Sequence, residues 1–114
     1  MLVSYDIEPF LTSIPHHATR SAYPHEKYAS PLNLWFAWTL ATADSYQLAG
    51  IKQSATNIAA AAKAQGQDIE SLALYPNYCL ADTPLEKMYG QNLASLKMIK
   101  DKYDPSNVMG RAGG

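Results

Sequence analysis

Three stretches of this sequence predict an α+β fold, a partial antiparallel sheet covered by helices. The stretch "LNLWFAWTLAT", Leu32 to Thr42, alternates as a strand does. Leu34, Phe36, Trp38 and Leu40 fall on one face, and Asn33, Trp35, Ala37, Thr39 and Ala41 on the other. Between Asp44 and Gly66, Leu48, Ile51, Ala55, Ile58 and Ala62 step by three and four, the stripe of an amphipathic helix. "QNLASLKMIKDKY" repeats that spacing, with Leu93, Leu96, Ile99 and Tyr103 on a common helical face.

Taken in order, residues 1–30 read as irregular, because Pro9, Pro15, Pro24 and Pro31 break up any long helix. "HHATRSAYPHEKY" is polar and reads as an extended surface arm. The Leu32–Thr42 strand comes next, then a long helix with Asp44 or Ser45 as its cap and Gly66 as its terminator. "ESLALYPNY" reads as a second, weaker strand, with Pro76 suited to an edge or an end. Thr83-Pro84-Leu85-Glu86 has the capping-box pattern with proline at the first helical position, so a short helix should start there and break at Gly90. The last helix ends at Asp104-Pro105, and "GRAGG" reads as frayed. Two strands make a marginal sheet, so the sequence predicts further strands from outside this chain. The chain then reads as a piece of a longer protein, or as one that docks on a partner.

Composition narrows the function classes. The chain has 114 residues, 47% of them hydrophobic, which fits one globular domain. Nine basic and ten acidic residues give a net charge of -1, with no basic run to attract nucleic acid. Cys79 is the only cysteine, so an intramolecular disulfide is excluded. His16, His17 and His25 match no metal-ligand spacing, and no metal site is expected. "MLVSYDIEPF" lacks the basic and apolar regions of a signal peptide, and no apolar run is long enough to span a membrane. Eight of the twelve aromatic residues are tyrosine, a side chain suited to a wet cavity or an interface.

The candidate chemistry lies in "LYPNYCLAD", where Tyr75 and Tyr78 bracket Asn77. On a regular strand Tyr75 and Asn77 would share one side and Tyr78 would face the other. A tyrosine acts as a base only when a cation or second base draws off its proton, because its ordinary pKa is near 10. Asp82 suits the start of the next helix, and Cys79 suits a small buried position. There is no glycine-rich phosphate loop, no GxGxxG and no Ser/His/Asp signature.

Several ordered blocks carry a family resemblance. They are Tyr75-Pro76-Asn77-Tyr78, Tyr89-Gly90-Gln91-Asn92, then Leu96, Ile99 and Lys100, and finally Tyr103-Asp104-Pro105-Ser106-Asn107-Val108. Together they resemble the C-terminal, berberine-bridge-enzyme-like segment of FAD-linked oxidoreductases. The run Ala22 to His25 resembles the approach to that family's substrate domain. The resemblance implies that 1–69 are part of a substrate domain and 70–114 the berberine-bridge-enzyme-like segment. It implies FAD as cofactor and hydride transfer from an alcohol, a sugar or another small organic substrate. By position Tyr78 resembles the base that removes the substrate proton, with Tyr75 as neighbour and second candidate. Asn77 and Tyr75 would be contacts near the flavin. Other relatives use a glutamate upstream.

The FAD-binding domain of the family is expected to lie outside these residues, so Cys79 and the histidines are not expected to correspond to its covalent flavin anchors. The expectation is that the chain alone neither retains FAD nor turns over substrate. Its expected partners are a small-molecule substrate and an FAD-binding domain, with no nucleic acid and no membrane. Relatives of this kind are often secreted. The competing reading is a non-catalytic, degenerate module that docks on a full-length relative or binds a small molecule.

Overall fold

Val3, Tyr5 and Ile7 alternate with polar Ser4 and Asp6, and this short stretch ahead of Pro9 is a strand in the computed structural model. The structure describes residues 1–112 except Thr12, Ala18, Arg20, Glu26, Tyr28 and Ala29. Four members of the expected arm, Ala18, Arg20, Glu26 and Tyr28, and the terminal Gly113 and Gly114 therefore lie outside the described residues. The chain forms two compact units: Met1–His17 with Glu26–Leu72, and Ala18–His25 with Ala73–Gly114. The class is α+β, as expected, and the described sheet has two antiparallel strands.

In the first unit, β1 (Leu2–Ile7) precedes a single helical turn, α1 (Ile14–His17), and pairs with β2 (Leu32–Ala37). The register runs from Leu2 opposite Ala37 to Ile7 opposite Leu32, and Glu8 N–H extends it by donating to Pro31 O at 3.0 Å. This register puts Val3, Tyr5, Ile7, Leu32, Leu34 and Phe36 on one face. That face meets the long helix α2 (Asp44–Ala64). Tyr5 Oη donates to Ser54 Oγ at 3.3 Å, and its ring meets Phe36 edge-on with centroids 6.4 Å apart. Gly50 is where α2 comes close, since a Cβ there would stand 3.7 Å from Phe36 Cε1. A groove of about 770 Å³ opens between β2, α2 and the loop after it, lined by Leu32, Leu34, Ile58, Ala59, Ala62 and Leu72.

Several expectations are corrected in this unit. Residues 1–30 are not irregular throughout, because β1 finds its partner across the intervening proline-rich stretch. The predicted strand stops at Ala37 instead of Thr42. Trp38 Nε1 donates to Asp44 Oδ1 at 2.6 Å, and Ala41–Ala43 coil into a 3₁₀ turn that leads into α2. Asp44 therefore holds Trp38, and neither it nor Ser45 caps the helix. The inward stripe keeps Ile51, Ile58 and Ala62 but departs at its start: Gln47 is buried and donates to Met1 Sδ at 3.1 Å, while Leu48 is 42% exposed.

The end of α2 is as predicted. Gly66 takes φ +81, Gly66 N–H donates to Lys63 O at 2.9 Å, and Gln67 N–H reaches Ala62 O at 3.1 Å. These are the two bonds of a Schellman cap, which needs a left-handed residue at this position.

In the second unit, α3 (Leu85–Tyr89) breaks at Gly90, where φ is +49. A 3₁₀ turn, Gly90–Asn92, then enters α4 (Leu93–Tyr103). Met88 and Leu93, on either side of the break, are its buried apolar side chains among the described residues. Three further readings are corrected in this unit. "ESLALYPNY" forms no strand, and Pro76–Tyr78 is a 3₁₀ turn. Thr83 does not cap α3, because Pro84 stands between them in extended backbone. Ile99 and Tyr103 are exposed, and the inward face of α4 runs through Leu93, Leu96 and Lys100 instead.

Asp104 ends α4 and organises the turn after it. It accepts Val108 N–H at 2.6 Å on Oδ1, and Met109 N–H at 3.1 Å and Lys100 Nζ at 3.0 Å on Oδ2. Loss of solvent pushes its carboxyl up, but the Lys100 ammonium and the two amides outweigh this and leave it below its ordinary value.

The two glycines of α2 and its cap should respond oppositely to alanine. Gly66→Ala should lower stability by about 1–2 kcal/mol, the cost of a Cβ in left-handed backbone. Gly50→Ala, with helical backbone and only ordinary contact to Phe36, should raise it by about 0.5–1 kcal/mol. Denaturant unfolding of both variants checks the opposite signs. A carboxyl held low in the folded state contributes stability that is complete above the ordinary value of 3.8 and is lost as pH falls through the lower folded value. The Val108 and Met109 amides should therefore lose hydrogen-exchange protection in that acid window, and Asp104→Asn should remove this pH step.

Candidate active site

Proline decides the geometry of "LYPNYCLAD". A residue before proline is pushed into extended backbone, and Tyr75 sits at φ -72, ψ 117. Pro76, with its φ preset and no N–H to satisfy, opens the 3₁₀ turn Pro76–Tyr78. Tyr78 N–H donates back to Tyr75 O at 3.0 Å, and Cys79 N–H to Pro76 O at 3.3 Å. Side chains three apart eclipse in such a turn. Tyr75 and Tyr78 therefore come together instead of facing opposite sides, with ring centroids 5.0 Å apart and planes at 86°. Asn77 Nδ2 donates to Tyr75 Oη at 2.9 Å, so the three residues form one cluster.

Tyr23 extends the cluster. Its ring meets Tyr75 edge-on at 5.8 Å, and its hydroxyl donates to Ala73 O at 3.2 Å. His25 stacks on Tyr23 at 6.5 Å. His25 Nδ1 and Ser21 Oγ both reach the Tyr23 carbonyl, at 2.9 and 2.7 Å. Burial, then the nearby Tyr75 and Cys79, raise the Tyr23 phenol above its ordinary value, so it stays a neutral donor. The residue-type reading placed Tyr23 and His25 on a surface arm and missed their part in the cluster. The excess of tyrosine was the signal that could have found them.

Cys79 lies under the turn. Its Sγ donates to Tyr75 O at 3.3 Å and is hydrogen-bonded to the Thr83 side chain. Burial pushes the thiol up, and the Thr83 bond offsets only part of that rise. Asp82 lies in the turn ahead of α3. His16 and His17 are exposed on α1. Among the described residues, no group of three or more His, Cys, Asp or Glu is placed to hold a metal ion. Among them too, no helix is long and apolar enough to cross a membrane.

This cluster opens a segment that other proteins share. Residues 74–110 match the family model described as berberine and berberine like. Neither the curated proteins nor the solved structures give a match to the chain. The berberine-like match covers about a third of the chain, running from the residue before Tyr75 to the glycine that closes the Asp104 turn. It supports the resemblance to FAD-linked oxidoreductases on the residues that first carried it.

How far the residues fit FAD differs along the cofactor. The Tyr75, Asn77 and Tyr78 group offers the mixed aromatic and polar wall that suits the edge of a planar ring system. The diphosphate is served poorly. The first turns of α2 and α3 carry Asp44 and Glu86, which oppose an anion, and the sequence has no glycine-rich loop. The Tyr75–Tyr78 group thus has chemistry suited to a ring edge, and the acidic first turns of α2 and α3 do not suit a diphosphate.

Thiolate, not thiol, is the reactive form of cysteine. Cys79 should therefore react several-fold more slowly with a thiol reagent at neutral pH than it does in the unfolded chain. Thr83→Ala should slow it further by removing the one contact that favours the thiolate. Thiol titration with and without denaturant checks both.

Proposed function

We propose that this chain supplies the substrate-side wall of an FAD-dependent oxidoreductase acting on an alcohol, a sugar or another small organic substrate. FAD would be held by a separate FAD-binding domain and would supply the hydride acceptor. The observation that carries this reading is the Tyr75–Tyr78 turn, closed by Asn77, at the head of the berberine-like segment.

In this reading Tyr78 takes the substrate hydroxyl proton as a phenolate, its own proton drawn off by a cation or second base on the FAD-binding side, and Tyr75 is the second candidate for that role. Asn77 holds the Tyr75 oxygen in place, which turns the Tyr75 proton away from the Asn77 amide and toward a bound substrate. The edge-on packing of the two rings sets the phenols side by side, where one substrate hydroxyl could meet both. Tyr23 is not the base: its proton is engaged on Ala73 O, and burial opposes its phenolate.

A second reading, a module that docks without catalysis, has one observation in its favour. Leu2 and Trp35 lie on the face of the sheet away from α2 and are 58% and 48% exposed.

The deciding experiment joins the chain to its upstream reading frame, or else to the FAD-binding domain of a berberine-like relative. Flavin reduction by candidate substrates is then tracked for the parent, Tyr78→Phe and Tyr75→Phe. Loss of a general base costs roughly 10²–10⁴-fold in rate. Tyr78→Phe should fall in that range, and Tyr75→Phe should lose several-fold. Equal activity of all three proteins would sink the assignment. The chain alone should purify without a stoichiometric flavin absorbance band, and such a band would refute the need for a separate FAD-binding domain.

A further inference from the structure

We propose that Asn92 is the positioning residue of the aromatic site, holding the Ser21–His25 segment so that Tyr23 rests against Tyr75. This rests on the reading of the Tyr75–Tyr78 turn as the working end of the site.

The side chain of Asn92 is not spent on capping α4, because its backbone is already helical at φ -74, ψ -16. Asparagine is favoured just before a helix because its side-chain oxygen can accept a free backbone N–H of the first turn. Asn92 occupies that place ahead of α4, and its side chain makes no such bond. Its Nδ2 instead donates to Ala22 O at 3.1 Å and Ser21 O at 3.4 Å, carbonyls some seventy residues earlier in the chain. An amide nitrogen shared between two successive carbonyls fixes both the place and the direction of the segment that carries them.

Asn92 also stands at a firm point. It lies next to Leu93 and close to Met88, the buried apolar side chains of this unit. The Gly90–Asn92 turn is where the segment touches down: Pro24 Cγ is 3.9 Å from the place a Cβ on Gly90 would occupy. The amide thus projects from a turn flanked by two buried side chains.

The segment it holds presents Tyr23. Inside that segment, Ser21 and His25 bond the Tyr23 carbonyl, which makes it a compact loop. Asn92 holds one side of the loop, and Tyr23 Oη holds Ala73 O, two residues before Tyr75, on the other. Among the described residues, Tyr23 and Tyr78 are both aromatic neighbours of Tyr75. If the Asn92 tie is released, Tyr75 keeps Tyr78 and loses Tyr23.

The test uses the isotope-labelled full chain and reads through-space NMR contacts between tyrosine rings, with amide exchange along α4 as the control for folding. Asn92→Ala should abolish the Tyr23–Tyr75 contact while the Tyr75–Tyr78 contact and α4 protection remain. Asn92→Asp replaces the donor with a carboxylate facing two carbonyls, so the contact should be absent near pH 7. It should return at about pH 3, where the N92D carboxyl is protonated and can donate again. The parent chain at both pH values is the reference. If Asn92→Ala fails to fold, the pH comparison on N92D alone decides. A contact that persists in Asn92→Ala, or one lost together with α4 protection and not regained in acid, overturns the proposal. Neither flavin nor substrate enters this readout. Full activity of Tyr75→Phe and Tyr78→Phe would therefore sink the catalytic reading and leave the positioning role standing.

Discussion

Among the described residues, Met88, Leu93 and Gln47 are buried, and no large side chain is fully enclosed. Burial of apolar surface is the main favourable term in folding, at roughly 25 cal/mol per Å². A chain that encloses so few side chains must take its local shape from other sources. Hydrogen-bonded turns supply it. The Schellman cap ends α2, the Asp104 carboxylate ties the chain after α4, and the Pro76 turn closes under Tyr78. Each depends on one residue with a special conformation or a special acceptor, so each is sensitive to a single substitution.

The same dependence explains the aromatic cluster. A strand and a 3₁₀ turn place side chains three residues apart in opposite ways. In a strand, positions three apart fall on opposite faces; in a 3₁₀ turn they eclipse. Pro76 tips the balance because it cannot donate to a ladder and already has the φ of the turn. One backbone choice therefore turns two tyrosines that would be separated by a sheet into an edge-on pair 5.0 Å apart.

The features legible in the sequence came from strong local signals. The extent of α2, the Gly66 terminator, the Gly90 break and the Asp104 stop were each written in a few adjacent residues. Tyr75, Asn77 and Tyr78 were legible as a group because the berberine-like blocks flank them. Long-range partners account for the main misses. β1 needs β2 as its partner, which lies beyond a proline-rich stretch. Trp38 leaves the strand for Asp44, a competition that periodicity does not contain. Tyr23 joins Tyr75 across some fifty residues, and its own neighbourhood reads as polar surface.

On the proposed reading, the three touching tyrosines divide the work by environment, since their residue type is the same. Tyr23 is the most constrained: its hydroxyl is committed to Ala73 O, and its raised pKa keeps it a phenol, so it serves as a fixed apolar wall with one internal hydrogen bond. Tyr75 stands between the other two rings and already accepts a bond from Asn77, which suits it to orient a substrate hydroxyl by donating its own proton. Tyr78 closes the turn, with its ring edge-on to Tyr75 and its backbone N–H on Tyr75 O, so its position depends on that of Tyr75. A proton taken from substrate would then pass to Tyr78, the last of a series in which Tyr23 packs on Tyr75 and Tyr75 on Tyr78. That order runs outward from Tyr23, which makes the loop carrying Tyr23 part of the site's geometry although it lies far from the turn in sequence.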